Sequence, residues 1–252
     1  MVITRAPLRI SLLGGGSDLS SYYTKKKGGV LSMTINKYVY VHLHANFMPE
    51  NITLKYSKTE MVDDWSNIEH PLFREVLKYF KLKGVEISVS ADMPGETGMG
   101  SSSSFSVALI KAISEYQGLS LTDFRIIELA CYFEIEVLKE PIGKQDQYAA
   151  GTGSVNYFVF NKDHTVDIEH LRIGSDVLEE LSNSMVLYYT GVQRKASSIL
   201  KEQRDQMKDS VKRNLISESV SMATEMKQSL ITGDISSLGR FIDRDWALKR
   251  QA

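Results

Sequence analysis

Residues 94–104 read PGETGMGSSSS, and no other stretch limits the possible folds as tightly. Val85 to Ala91 (VEISVSA) just before it alternates apolar and polar residues, the period of a half-buried strand. Just after it, Phe105, Leu109, Ala112, Ile113 and Tyr116 recur at steps of three and four, the stripe of an amphipathic helix. The first N–H groups of a helix lack intrahelical partners and lie at the positive end of its dipole. Gly95, Gly98 and Gly100 let the backbone turn tightly and approach a ligand, while Ser101 to Ser104 add hydroxyls. A loop placed so, from strand into helix, is a cradle for an anion such as phosphate. The same letters elsewhere would read as a solvated turn with a serine cap. The run is not a Walker A loop, because no Gly-Lys-Ser/Thr follows, and it does not match Gly-x-Gly-x-x-Gly.

The remaining elements follow from periodicity. Val2 to Leu13 reads as a strand ending at Gly14-Gly15-Gly16, with Asp18 as an N-cap for a short helix through Tyr22 and Tyr23. Lys37 to Ala45 alternates and is rich in β-branched and aromatic residues, so a strand is expected, with Ile52 to Tyr56 as a partner. Helices are expected over Pro71–Phe80 and over Thr122–Leu138, the latter capped by Thr122 and ended by Pro141 and Gly143. Val155 to Phe160 and Met185 to Tyr189 read as strands, with a short helix near Val177 to Leu181 between them. From Arg194 onward the pattern is helical and charged. Strands and helices come in blocks, so the class is α+β, with a boundary near Asn161 to His164.

Bulk properties remove several function classes. A formal net charge of −1 over 252 residues gives no global field for nucleic acid or an anionic membrane. No run approaches the ~20 apolar residues needed to span a bilayer, and the N-terminus, with Arg5 and Arg9, lacks a signal-peptide core. Cys131 is the single cysteine, which excludes an internal disulfide and a multi-cysteine metal site and fits a cytoplasmic setting. His42 and His44 share a strand face without a third ligand, so they read as structural. Lys25, Lys26 and Lys27 read as a solvated helix end. Assembly as a homodimer is compatible with all of this.

Three segments, in order, resemble the motifs of the GHMP kinase superfamily. PGETGMGSSSS is similar to its phosphate-binding loop, APLRISLLGGGSD (Ala6 to Asp18) to its N-terminal motif, and PIGKQDQYAAG (Pro141 to Gly151) to the segment with its catalytic aspartate. Within that superfamily, GGGSDLSSYY, PIGKQDQYAAG and YTGVQRKASSIL look most like D-glycero-D-manno-heptose 7-phosphate kinases. The resemblance implies a ribosomal-protein-S5-like N-terminal domain over 1–162 that binds ATP. It also implies a C-terminal α+β domain over 163–252. The family's third glycine-rich motif has no counterpart near ITGDISSLGRFIDRDWALKRQA, so this second domain is expected to be incomplete and the isolated chain poorly soluble or slow.

The same resemblance assigns roles. Pro94, Gly95, Gly98, Met99, Gly100 and Ser101 to Ser104 would hold the nucleotide phosphates. Ser102 (or Ser101) and Glu134 would hold Mg2+, a cation that takes oxygen ligands. Glu136 faces elsewhere on the same helix. Asp146 would be the base, with Arg9 beside it and Lys144 adding charge; read alone, Asp146 could equally be a helix cap. Gly15, Gly16, Ser17 and Asp18 would bind the sugar, and Arg194 its phosphate, since a guanidinium grips phosphate with two N–H groups. The adenine pocket is not legible beyond a placement near Trp65 to Ile68.

Overall fold

The computed structural model describes residues 1–191 and 209–250. Its centre is a seven-stranded mixed sheet organised around one long strand. That strand, β2 (Gly28–Ala45), lies antiparallel to β1 (Val2–Leu13) along most of its length. The glycine turn and the short helix α1 (Ser20–Tyr23) connect the two. The second half of β2, from Val39, pairs antiparallel with β5 (Val85–Ala91). Its first half, up to Met33, pairs antiparallel with β6 (Val155–Phe160). Beyond β5 lie β3 (Ile52–Lys55), parallel to it, and then β4 (Thr59–Val62). Beyond β6 lies β7 (Val166–His170). Among the described residues the further helices are α2 (Pro71–Tyr79), α3 (Ser101–Gln117), α4 (Asp123–Cys131), α5 (Gln145–Thr152), α6 (Ser175–Ser184), α7 (Ser210–Thr232) and α8 (Leu238–Lys249). The architecture is α+β, as the block order of the sequence predicts.

The two halves of β2 are buried differently. Around β5, Val41, Leu43, Val85 and Ile87 turn one face to Phe73 and Leu77 of α2 and to Leu109 and Ile113 of α3. The other face is partly open, so the sequence alternates. Around β6, Leu31, Met33, Tyr157 and Val159 pack on Met222, Met226 and Leu230 of α7. Val30, Phe158 and Phe160 pack on Ile127, Cys131 and Tyr148 from the opposite side. Strands covered on both faces read as continuous apolar runs rather than as alternation.

Four expectations need correction. Ile52 to Tyr56 does not pair with Lys37 to Ala45, because β5 lies between them. Asp18 does not cap its own helix: Leu19 occupies that position, with no side-chain cap. The Asp18 carboxylate turns away to another helix, described below. Met185 to Tyr189 is not a strand. It has no pairing neighbour among the described residues, and Val186 and Tyr188 stand exposed, so its apolar pattern lacks the ladder a strand requires. The helix expected over 122–138 is capped by the Thr122 hydroxyl, which accepts from Arg125 N–H at 3.2 Å, but it changes pitch at Tyr132–Val137 into a π-helical turn. The wide turn is seen in Leu138 N–H donating to Phe133 C=O, five residues back, at 2.9 Å. At residue 162 the chain is inside the β6–β7 hairpin, so the sheet continues across the expected domain boundary. Among the described residues, no helix is long and apolar enough to cross a membrane.

Candidate active site

The glycine loop leaves β5 and enters α3 through Gly100, which takes a left-handed backbone (φ 74°) and caps the helix without a side chain. Glu96 and Gly98 also have positive φ, 60° and 76°. Glycine suits such positions because it carries no Cβ. A Cβ on Gly95 or Gly98 would meet nothing within 4 Å, so this face of the loop is open to a ligand. Met99 fastens the loop from below: it is buried with Leu8 and Val39, and its carbonyl accepts from Arg9 N–H at 3.1 Å.

Arg9 ties the loop to α5. Its Nε donates to Asp146 Oδ1 at 2.8 Å and its Nη2 lies 2.7 Å from the same oxygen. Its Nη1 donates to the Gly98 carbonyl at 2.7 Å. The N-cap of α3 is equally close, because a Cβ on Gly100 would stand 3.4 Å from Asp146 Oδ2. The Asp146 side chain retains 28% exposure, enough to meet a substrate. Residues 137 positions apart in the chain are thus brought to the start of one helix.

Glu134 lies in the π-turn, only 2% exposed. Ser102 Oγ donates to its Oε1 at 3.1 Å and Gln147 Nε2 to its Oε2 at 2.7 Å. Burial pushes its carboxyl up; hydrogen bonds from Gln147, Ser103 and Ser102 pull the other way, and Asp146 adds to the rise. Ser102 itself stands at the exposed edge of the cluster. Glu136 points outward and pairs with Lys139 at 3.4 Å. π-turns inside helices are frequent at functional sites.

Asp18 closes the other side. Its Oδ1 accepts from Gly16 N–H at 3.1 Å and its Oδ2 from Gln145 N–H at 3.2 Å, which caps α5 instead of α1. Gly143 is obligatory beside it, since a Cβ there would fall 1.9 Å from Asp18 Oδ2. Burial pushes the Asp18 carboxyl up, and the nearby Asp146 adds to this. Gly15 is partly open.

Several expected residues are occupied elsewhere. Ser17 is fully buried; its hydroxyl donates to Gly29 C=O at 3.2 Å and accepts from Gly29 N–H at 3.0 Å. Ser104 Oγ donates to Pro7 C=O at 2.7 Å. Lys144 Nζ donates to His164 C=O at 2.9 Å, so its charge is held at the β6–β7 turn. Arg194 lies outside the described residues. Conversely, Gln145 and Gln147, which flank Asp146, are absent from the residues expected at the site. Gln145 Oε1 accepts from Ser11 Oγ at 3.1 Å. Gln145 Nε2 and Gln147 Oε1 are both buried without a protein partner. The QDQ pattern, two amides around a carboxylate near a glycine, was the available signal.

Chemically the site suits phosphoryl transfer: a loop of free amides for phosphates, a buried carboxylate beside a hydroxyl, and a carboxylate–guanidinium pair across from the loop. Comparison with known proteins agrees. The family profile described as the GHMP kinases N terminal domain matches residues 68–154. The D-glycero-alpha-D-manno-heptose 7-phosphate kinase of Campylobacter jejuni is 30% identical, over 98% of this chain and 76% of its own length. The galactokinase of Thermotoga maritima is 27% identical, over 71% of this chain and 55% of its own length. A crystal structure of a D-glycero-D-manno-heptose 1-phosphate kinase from Bacteroides thetaiotaomicron superposes with a TM-score of 0.84 at 28% identity, over all of this chain and 80% of that one. The mevalonate kinase of Methanococcus jannaschii, at 17% identity and a TM-score of 0.71, shares the fold. The chain belongs to the GHMP family of ATP-dependent kinases.

Proposed function

We propose that this kinase phosphorylates a sugar that already bears one phosphate, with D-glycero-D-manno-heptose 7-phosphate taken at C1 as the leading substrate and a 1,7-bisphosphate as product. The support is the likeness to the two heptose phosphate kinases over nearly the whole chain. The observation that carries the chemistry is the Arg9 bridge, one guanidinium bonded both to Asp146 and to the glycine loop. A base for the sugar hydroxyl is thereby fixed against the place where phosphates are held.

In this reading, the amides from Gly95 to Ser103 bind the nucleotide phosphates, aided by the dipole of α3. Asp146 accepts the proton of the attacking sugar hydroxyl. Arg9 orients Asp146 and offsets the charge that develops on the sugar oxygen. Asp18 and the amide of the partly open Gly15 hold sugar hydroxyls, and Arg194 holds the existing phosphate. Lys144, bonded to His164, acts at most through the field of its charge.

Mg2+ fits the donor set by two observations. Glu134 is a buried carboxylate whose hydrogen-bond partners are all neutral, and buried charges are ordinarily paired or bound to metal. The second is that Ser102 offers a hydroxyl on its open side. Among the described residues no cluster of three or more acidic, His or Cys side chains exists, so Ser102 and Glu134 would be the protein's share of a shell completed by water and phosphate. Such an ion neutralises charge on the transferring group.

The test is ADP production by the purified chain against heptose 7-phosphate, galactose, fucose and mevalonate. Turnover is expected with the heptose phosphate. Galactose or mevalonate as the preferred acceptor would reject the substrate, and no ADP with any acceptor would reject the reading for this chain.

A further inference from the structure

The C-terminal helices reach the glycine turn through a buried relay. Gly14 N–H donates to Ser219 Oγ of α7 at 2.9 Å. Ser219 Oγ donates in turn to Asp245 Oδ1 of α8. Asp245 Oδ2 receives Lys249 Nζ at 2.7 Å. A backbone amide can only donate, so the serine oxygen must accept there, and its single proton is left for the carboxylate. The direction of the relay is therefore fixed. Ser219 and Asp245 are both 3% exposed, and the Lys249 ammonium compensates the buried carboxylate.

The turn it grips has little freedom. Gly14 has φ 84°, and a Cβ there would fall 2.0 Å from Gly29 O. Ser17 N–H donates to Gly14 C=O at 3.2 Å, and Gly16 N–H to Asp18 Oδ1 at 3.1 Å. Asp18 then caps the helix that carries Asp146. The Gly14–Asp18 segment is held from one side by α7 and α8 and from the other by α5. None of the hydrogen bonds of this relay reaches the 94–104 loop.

We propose that the Lys249–Asp245–Ser219 relay sets the position of the Gly14–Asp18 segment and so the affinity for sugar, without contact with either substrate. Ser219 and Asp245 are positioning residues for the sugar half of the site alone. This rests on the reading of Gly14–Asp18 as the sugar-binding segment.

The test uses the full chain and four variants: S219A, S219T, D245A and S219A/D245A. Initial rates are measured with each substrate varied in turn, and amide hydrogen exchange is followed in the absence of substrates. Loss of one buried hydrogen bond predicts a rise of about three- to tenfold in the sugar KM for S219A and D245A, with the ATP KM unchanged. S219T, which keeps the hydroxyl, should restore most of the affinity. The double variant should be no worse than the weaker single one, because both break the same relay. Exchange should quicken at 14–18 and stay unchanged at 95–104. An unchanged sugar KM in S219A, an ATP KM that rises in step, or singles whose effects multiply would each overturn the proposal. If the unaltered chain turned over no sugar phosphate, the substrate reading would fall, and the exchange data alone would decide whether the relay holds the segment.

Discussion

Replacing Glu134 by Gln should make the protein more stable while it stops turnover. Glu134 is buried, and its hydrogen-bond donors are Ser102, Ser103 and Gln147, all uncharged. Exchange of a buried charge for a neutral group of the same shape is worth about 1–3 kcal/mol to a fold. The new amide also gains an acceptor, since Gln147 Oε1 is unpartnered and can take its N–H once that side chain turns over. For a chain of this length, each kcal/mol moves Tm by about 2–4 °C, so Tm at neutral pH without nucleotide or Mg2+ should rise by about 2–12 °C. The pH dependence fixes the cause. Burial raises the Glu134 carboxyl above the ordinary glutamate value of 4.5, so the folded state binds its proton more tightly than the unfolded chain does. That contribution to stability is complete below pH 4.5 and is lost as pH rises through the raised folded value. The variant lacks this loss, so its lead over the unaltered chain should be small in acid and widen towards neutrality. Calorimetry across that range, with and without Mg2+, reads the effect. Added Mg2+ should stabilise the unaltered chain and not the variant. A lower Tm for E134Q at neutral pH, or a lead that does not change with pH, would refute the account of Glu134 as an uncompensated buried charge.

Three further outcomes follow from the same geometry. D146N should lower kcat by about 10²–10⁴-fold while nucleotide affinity, measured by titration calorimetry, stays close to that of the unaltered chain. G98A meets no protein atom within 4 Å but forces a side chain to φ 76°; it should lose about 1–2 kcal/mol of stability, and ATP affinity should fall further than the sugar affinity does. G143A places a Cβ 1.9 Å from Asp18 Oδ2, and it should cost about 1–3 kcal/mol in thermal unfolding and weaken sugar binding by displacing the Asp18 cap.

Legibility in the sequence tracked exposure. The second half of β2 and β5 show a wet and a dry face, and their alternation is plain. The first half of β2 lies between α7 and the α4–α5 layer, so GGVLSMTIN carries no period to read. The glycine loop was visible because strand, glycines and helix are contiguous. The Arg9–Asp146 contact spans the whole N-terminal region, and only the resemblance to a family pointed to it. The π-turn holding Glu134 is a change of hydrogen-bond register with no residue signature. Asp18 illustrates a local rule overridden: the spacing suits a cap for the next helix, but the carboxylate caps a helix 127 residues away.

The 18-residue span of β2 has a mechanical consequence. One continuous strand belongs both to the sheet region beside the phosphate loop and to the region clasped by α7, but between Met33 and Val39 neither β5 nor β6 pairs with it and its register with β1 shifts, so that stretch is where the sheet can bend. Within the sheet the two halves are joined by β1 and β2 alone, so a displacement of the half clasped by α7 need not be carried to the phosphate loop.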